Sequence, residues 1–478
     1  MATVKKLPPS KVVFFALGQF GWSLCSFGVG NLMNYFYLPP KSGEQALFPT
    51  YIYSGRIFGI LTLLGLITAV ARAFDAITNP LIASWSDRNT SALGRRTFFL
   101  AFSALPFAIL SMLLFLPITS TESVLNAVWL CGVILAFYFF FVCYTTPYSA
   151  LLSEYGHTPD ERLSLSTALS VAWACGFAIG QQVYGLQAWA ANSLAVSPTR
   201  AFQIVIGAFS VTALICMSLP ILFIKEREYA EAHVAKESAR EALAATFKNR
   251  NFTQFLAADF MYWVALTFVQ MGMVYYVTTL LHPYDDIHKD TELVSPLMTV
   301  LFLVSFVCYA PVNILAKKLG KKRVMLVGFV MLSFVFVLIA SMGFLPLPVM
   351  PYAYLISVLA AVPIAIFGIL PGVVIADVAE VDGRQSGSHK AGMFFGTRTF
   401  IMNFGIAAAN FLFPSFLLLG KDVQNSFGVR LSSIAAVVFC LIGFVLFSRY
   451  DEKAVLAALE SDRELSKNEN EKPQASAT

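Results

Sequence analysis

Charge is what this chain has least of. Only 13% of its 478 residues are Asp, Glu, Lys or Arg, while 57% are hydrophobic. A water-soluble chain carries about a quarter charged residues. Half that amount cannot coat a soluble fold of this length, so a bilayer is the expected solvent. The formal net charge of +5 is small and its basic residues sit in alternate loops, so no nucleic-acid partner is expected. Metal and disulfide patterns are missing too. The seven cysteines fall inside apolar runs without a CxxC, and the five histidines lie in polar connections. Neither a disulfide framework nor a metal site is expected. The basic leader Met1 to Lys11 has no small-residue cleavage site behind it and reads as a cytoplasmic lead into a first span.

Long apolar stretches are abundant. A spanning helix needs roughly twenty mainly apolar residues. Candidates lie near 12–38, 56–84, 97–117, 125–152, 163–188, 201–224, 252–281, 294–316, 323–345, 351–380, 391–419 and 429–449. This predicts an all-α membrane protein of twelve transmembrane helices in two pseudo-symmetric six-helix bundles. The bundles are 1–224 and 252–449, joined by a charged linker helix at 225–251 and followed by a polar tail at 450–478. Lys and Arg collect on one set of helix ends, among them Arg88, Arg95, Arg96 and the run Lys317 to Arg323. Positive charge marks the cytoplasmic side, so both termini and the linker are expected there. A multi-pass protein of a plasma or bacterial inner membrane follows, and a monomer is expected.

The two halves echo each other in spacing. Gly94-Arg95-Arg96 returns as Gly320-Lys321-Lys322, 226 residues later (94 to 320). Pro147, Glu154 and Arg162 return as Pro371, Asp377 and Arg384. Duplicated halves are a hallmark of secondary transporters.

Ionisable groups inside a bilayer are costly and invite a functional reason. Arg72 and Asp75 in the second span are three residues apart, so they share a helix face and can neutralise one another. Thr78 and Asn79 extend that face. A structural ion pair between helices is the competing reading. Just outside, Asp87, Arg88, Arg95 and Arg96 are candidates for a cytoplasmic gate with Asp377, Glu380, Asp382 and Arg384 at the end of the tenth span; plain topology signalling is the alternative. Snorkelling or local pairing accounts for Asp259 and Arg398. Gly176, Gly180 and Gly185 in the fifth span permit close helix approach.

The stretch from Arg72 through Asp75, Asn79, Pro80, Ser86, Asp87 and Arg88, closing on Gly94-Arg95-Arg96-Thr97-Phe98, resembles the glycoside–pentoside–hexuronide:cation symporters. These form the melibiose-permease branch of the major facilitator superfamily, to which the animal lysolipid symporters are similar. Two further stretches resemble the family: Pro147 to Leu151 followed by Asp160-Glu161-Arg162, and Asp377 to Phe400. The resemblance implies a twelve-helix facilitator fold, alternating access, a small-molecule substrate, and sodium ion or proton as coupling ion, with no other cofactor. It also exposes departures. The family's second span-two acid is Asn79 here, and its span-eleven lysine is Asn403. Its sugar-binding acids align with Ser23 and Thr145. An acid and a base are thus replaced together by amides, which keeps the site neutral. The resemblance therefore places the coupling region at Arg72, Asp75, Asn79, Thr145 and Asn403, with coupling weakened. Substrate-lining candidates are Gln19, Ser23, Tyr144, Thr145, Ser149, Gln181, Gln182 and Asn403. A sugar or glycoside is the expected cargo. A lysolipid or other amphipathic solute is the alternative, suggested by 44 phenylalanines. A polytopic membrane enzyme would need an acidic cluster, for which Asp377, Glu380 and Asp382 are the candidates.

Overall fold

The computed structural model describes residues 5–42, 45–57, 61–230, 247–346, 348–386 and 391–458. Among them, ten helices are long and apolar enough to cross a membrane, and two shorter apolar helices, Thr97–Leu113 and Ser164–Gly180, stand where spans three and five are expected. In lipid every backbone polar group needs an internal partner, which helices supply from within one segment. Side chains supply the rest at the helix starts. Thr62 accepts from the Gly65 amide, Ser123 from Leu125, Thr158 from Glu161 and Ser197 from Arg200, the last two with Pro at the first helical position.

Several elements differ from the sequence expectation. Span one is not a plain helix: Pro9–Phe27 widens into a π-helical segment, Gly28–Leu32, before Met33–Tyr37. Span seven does the same, as Arg250–Tyr275 widens at Tyr276–Leu281. Span five breaks at Gln181-Gln182 into Pro159–Gly180 and Val183–Leu194. Span two starts at Leu63 rather than 56, because two small antiparallel hairpins, Lys41–Ser42 with Gln45–Ala46 and Arg56–Ile57 with Leu61–Thr62, occupy the connection. The remaining spans are Val124–Tyr155 (four), Pro198–Phe223 (six), Val294–Leu319 (eight), Lys321–Ala340 (nine), Val349–Ser386 (ten), Ala391–Leu417 (eleven) and Phe427–Ser448 (twelve). Of the expected linker helix 225–251, residues 231–246 lie outside the described residues; a single turn, Glu226–Tyr229, follows span six. The tail begins as helix over 452–458.

The chain forms two compact units. The first comprises Met1–Val234, Val269–Thr299 and Asn410–Ser432, and the second Ala235–Phe268, Val300–Ala409 and Ser433–Thr478. In the first, Gly21 and Gly176 let helices touch closely. A Cβ on Gly21 would lie 2.6 Å from the Ala213 carbonyl oxygen of span six, and one on Gly176 2.8 Å from that of Phe20 in span one. Rings of Tyr35, Phe36, Phe48, Phe115 and Phe202 fill one end of this unit, with centroids 5.0–5.8 Å apart. In the second, Tyr262 stacks on Phe367 at 4.1 Å and Phe329 meets the same ring edge-on at 4.7 Å, joining spans seven, nine and ten.

Candidate functional site

The polar face of span two belongs to the first unit. Asp75 is 6% exposed, and Arg72 Nη1 stands 3.7 Å from its Oδ2. The guanidinium also lies 4.9 Å from the ring centroid of Tyr138 on span four, a cation–π contact. Arg72 Nε and Asp75 Oδ1 are both buried without a hydrogen-bond partner among the described residues. One face therefore keeps an open donor and an open acceptor. Asn79 behaves differently: its Oδ1 accepts from the Thr146 hydroxyl at 2.6 Å. The amide that stands where the family has an acid thus joins span two to span four. Thr78 returns its hydroxyl to the carbonyls of Phe74 and Asp75.

The lining candidates divide. Ser23 is fully buried; its Oγ donates to the Phe20 carbonyl and lies where a Cβ on Gly176 would fall. Tyr144 is fully buried, donates to the Met217 carbonyl and stacks on Tyr148. Both make helix-packing contacts where spans one, four, five and six meet. Thr145 is buried and donates to its own helix at Phe141, while Ser149 is exposed and does likewise at Thr145. Gln19 is half-buried. Gln182 Nε2 donates to the Thr299 hydroxyl at 2.9 Å, and Gln181 offers its carbonyl to Ser295 Oγ while its Nε2 is buried and unpartnered. Asn403, half-buried, belongs to the second unit. That unit has its own buried pair, in which Arg398 Nε and Nη2 reach Asp259 at 3.0 and 3.2 Å.

The basic helix ends form clusters that the sequence reading did not anticipate. Glu154, 3% exposed at the end of span four, accepts from Arg95 Nη2 at 2.6 Å and from Arg96 Nε and Nη2 at 3.1 and 3.0 Å. Arg96 also reaches Asp87 at 2.6 Å and Ser86 at 2.9 Å. Glu226, just past span six, accepts from the backbone amides of Arg96 and Thr97. The second half repeats the plan. Lys321 pairs with Asp377, and Glu452, just past span twelve, accepts from the amides of Lys321 and Lys322. Gly94 and Gly320 have φ of 122° and 91°, and a Cβ on either would meet the capping carboxylate at 2.4 or 2.8 Å. Only glycine fits such a position. The expected pairing of Arg95 and Arg96 with Asp377, Glu380 and Asp382 is not among the contacts of the described residues. The partners of Arg95, Arg96 and Asp377 lie in their own halves, because the starts of spans three and nine abut the ends of spans four and ten, where a buried carboxylate needs its charge met. Asp382 accepts from Asn249. Arg88 is exposed, Glu380 has a partner of its own, and the side chain of Arg384 lies outside the described residues. Sequence reasoning missed Glu226 and Glu452 as caps. Their separation of 226 (226 to 452), the same as that of the two glycines, was the signal available.

At the opposite helix ends the first unit joins segments of both sequence halves. Tyr275 Oη donates to the carbonyls of Asn34 and Leu38 at 3.0 and 2.8 Å, and the Gly185 amide donates to Ser295 Oγ at 2.9 Å.

A sequence-family description, MFS/sugar transport protein, matches residues 14–451. An isoprimeverose transporter of Lactiplantibacillus pentosus is 23% identical over 387 residues, covering 80% of this chain and 78% of that protein. An uncharacterised symporter of Synechocystis is 26% identical over 234 residues, 46% of this chain and 41% of the relative. Among solved structures, a single-residue variant of the nucleoside transporter NupG superposes with a TM-score of 0.65 at 14% identity, covering 93% of this chain and 99% of that one. A bacterial homologue of the human lysosomal transporter Spinster, inward-facing and unoccupied, gives 0.58 at 15% identity, with coverage of 94% and 95%. At these identities the structural likeness shows the fold.

Proposed function

The chain belongs to the MFS/sugar transport protein family, and from that premise we propose that it carries a sugar or glycoside by alternating access, with cation coupling weakened. It is a multi-pass membrane transporter of the major facilitator fold and not an enzyme. The relative that transports isoprimeverose supports a sugar-like cargo. The Lys and Arg bias supports a cytoplasmic placement of the basic helix ends in a plasma or bacterial inner membrane. The hydrogen bonds from Tyr275, Gly185 and Gln182 then join segments of both sequence halves at the outer end of the first unit.

One observation carries the weakened coupling. The family's span-two site holds a cation between two acids; here one position is Asn79, its oxygen taken by Thr146, and the other is Asp75 beside Arg72. Arg72 belongs to the shared motif, so the departure that weakens a cation site is the loss of the second carboxylate at Asn79. The test is uptake of labelled isoprimeverose, a monosaccharide and a lysophospholipid into proteoliposomes, with and without sodium and with a protonophore. Sugar uptake down its own gradient, unchanged when both ion gradients are absent, is expected. Collapse of sugar uptake on dissipating them would overturn the coupling reading, and uptake of the lysolipid alone would overturn the cargo.

A further inference from the structure

A cavity of about 330 Å³ opens at the proposed outer end of the first unit, away from the span-two site. Its wall joins the connection between spans one and two to the loop between spans eleven and twelve. Arg56, Lys421 and Asp422 are its charged residues; Ser54, Thr62 and Asn425 are polar. The loop that presents Lys421 is built tightly. Gly420 has φ of 142°, and a Cβ there would meet Asn425 Oδ1 at 2.4 Å. Thr279 donates to the Lys421 carbonyl at 3.0 Å, and the Val423 amide donates to the Lys41 carbonyl at 3.3 Å. Neither Lys421 nor Arg56 has a side-chain hydrogen bond or ion pair among the described residues, and Asp422 Oδ1 is buried and unpartnered. Burial lowers the Lys421 ammonium to about 8, with Asp422 opposing that shift and Lys41 adding to it.

Lys421 is half-buried with only the neighbouring Asp422 to offset its charge and no ion pair among the described residues, which is costly. A buried carboxylate oxygen without a donor is costly in turn. One ligand type answers both: an oxyanion that also carries an O–H. We propose that this cavity binds a small hydroxylated oxyanion, of the monohydrogen phosphate or 2-hydroxycarboxylate class. Lys421 and Arg56 take its negative oxygens through charge-assisted hydrogen bonds, and Asp422 accepts from its hydroxyl. The cavity, at about 330 Å³, has ample room for such a ligand together with water. The site is independent of the transported cargo and of ion coupling, so its fate does not follow theirs.

The experiment uses the full-length protein in an uncharged detergent and reads acylation of Lys421 by a small amine-reactive ester, followed by peptide mass spectrometry. Inorganic phosphate at ten times its apparent Kd slows the modification about tenfold by mass action. Chloride at the same ionic strength leaves the rate unchanged, acetate protects less than phosphate, and Arg56→Gln weakens the phosphate protection. The same measurement in nanodiscs, with and without phosphatidylglycerol, separates a free anion from a lipid phosphate as its source. Protection by the lipid alone assigns the oxyanion to a headgroup. A Lys421 rate indifferent to phosphate and to the lipid, or equally slowed by chloride, overturns the site.

Discussion

Arg72 and Asp75 illustrate how far single residues can be read. Their spacing of three puts both on one helix face, and the structure holds the two charges 3.7 Å apart with Tyr138 beneath the guanidinium. Removing one partner strands the other charge away from water. Arg72→Gln is expected to destabilise the fold by about 3–5 kcal/mol, while Arg72→Gln with Asp75→Asn recovers most of that loss. Thermal unfolding in detergent checks it; equal losses in the single and double variants would show that the two groups are not coupled. Asp259 and Arg398 are more tightly paired, yet 139 residues separate them and no local spacing points from one to the other. The fate of Asn79 was unreadable for a similar reason. Its partner Thr146 lies 67 residues on, and an amide in a span reads alike whether it lines a path or bonds a neighbour.

Helix termini carry more information than the sequence reading drew from them. Gly-Arg-Arg and Gly-Lys-Lys read as charge signals or gate arginines, but the glycine is the more constrained part. It takes a positive φ so that the next amides point into Glu226 or Glu452. Glu226 hid within a charged run that looked like linker. Each carboxylate caps a helix start, where unsatisfied amides favour negative charge. Glu226→Gln and Glu452→Gln are each expected to cost about 0.5–2 kcal/mol. The larger loss belongs to Glu226, which is 4% exposed and accepts from two amides at 3.1 Å or less. Melting curves of both variants decide the matter; a neutral Glu226→Gln would remove the cap from the account. The π segments Gly28–Leu32 and Tyr276–Leu281 left no sequence signal at all, since apolar periodicity does not distinguish one extra residue in a turn.

At the scale of the molecule, the twelve apolar stretches and the repeated spacing made the fold legible, because a bilayer admits few alternatives to a helix. The contacts that join the first unit at the ends opposite the basic clusters were not legible, since they link segments more than a hundred residues apart. Gln182 on span five and Thr299 on span eight meet there at 2.9 Å. Gln182→Cys with Thr299→Cys, in a background lacking the seven native cysteines, should be bridged by a short bis-thiosulfonate. Bridging should stop uptake and a reductant should restore it. Uptake that continues in the bridged protein would mean that this end need not open. The spacing of the caps also compares the two halves in length. Gly94 to Glu226 and Gly320 to Glu452 each span 132 residues, so four helices and their loops take the same length in both halves. The link between the first two helices of each half does not: it takes 25 residues in the first half (38–62) and 12 in the second (282–293). The hairpins carrying Arg56 lie in the longer link, so the wall they lend the oxyanion cavity has no counterpart in the shorter one.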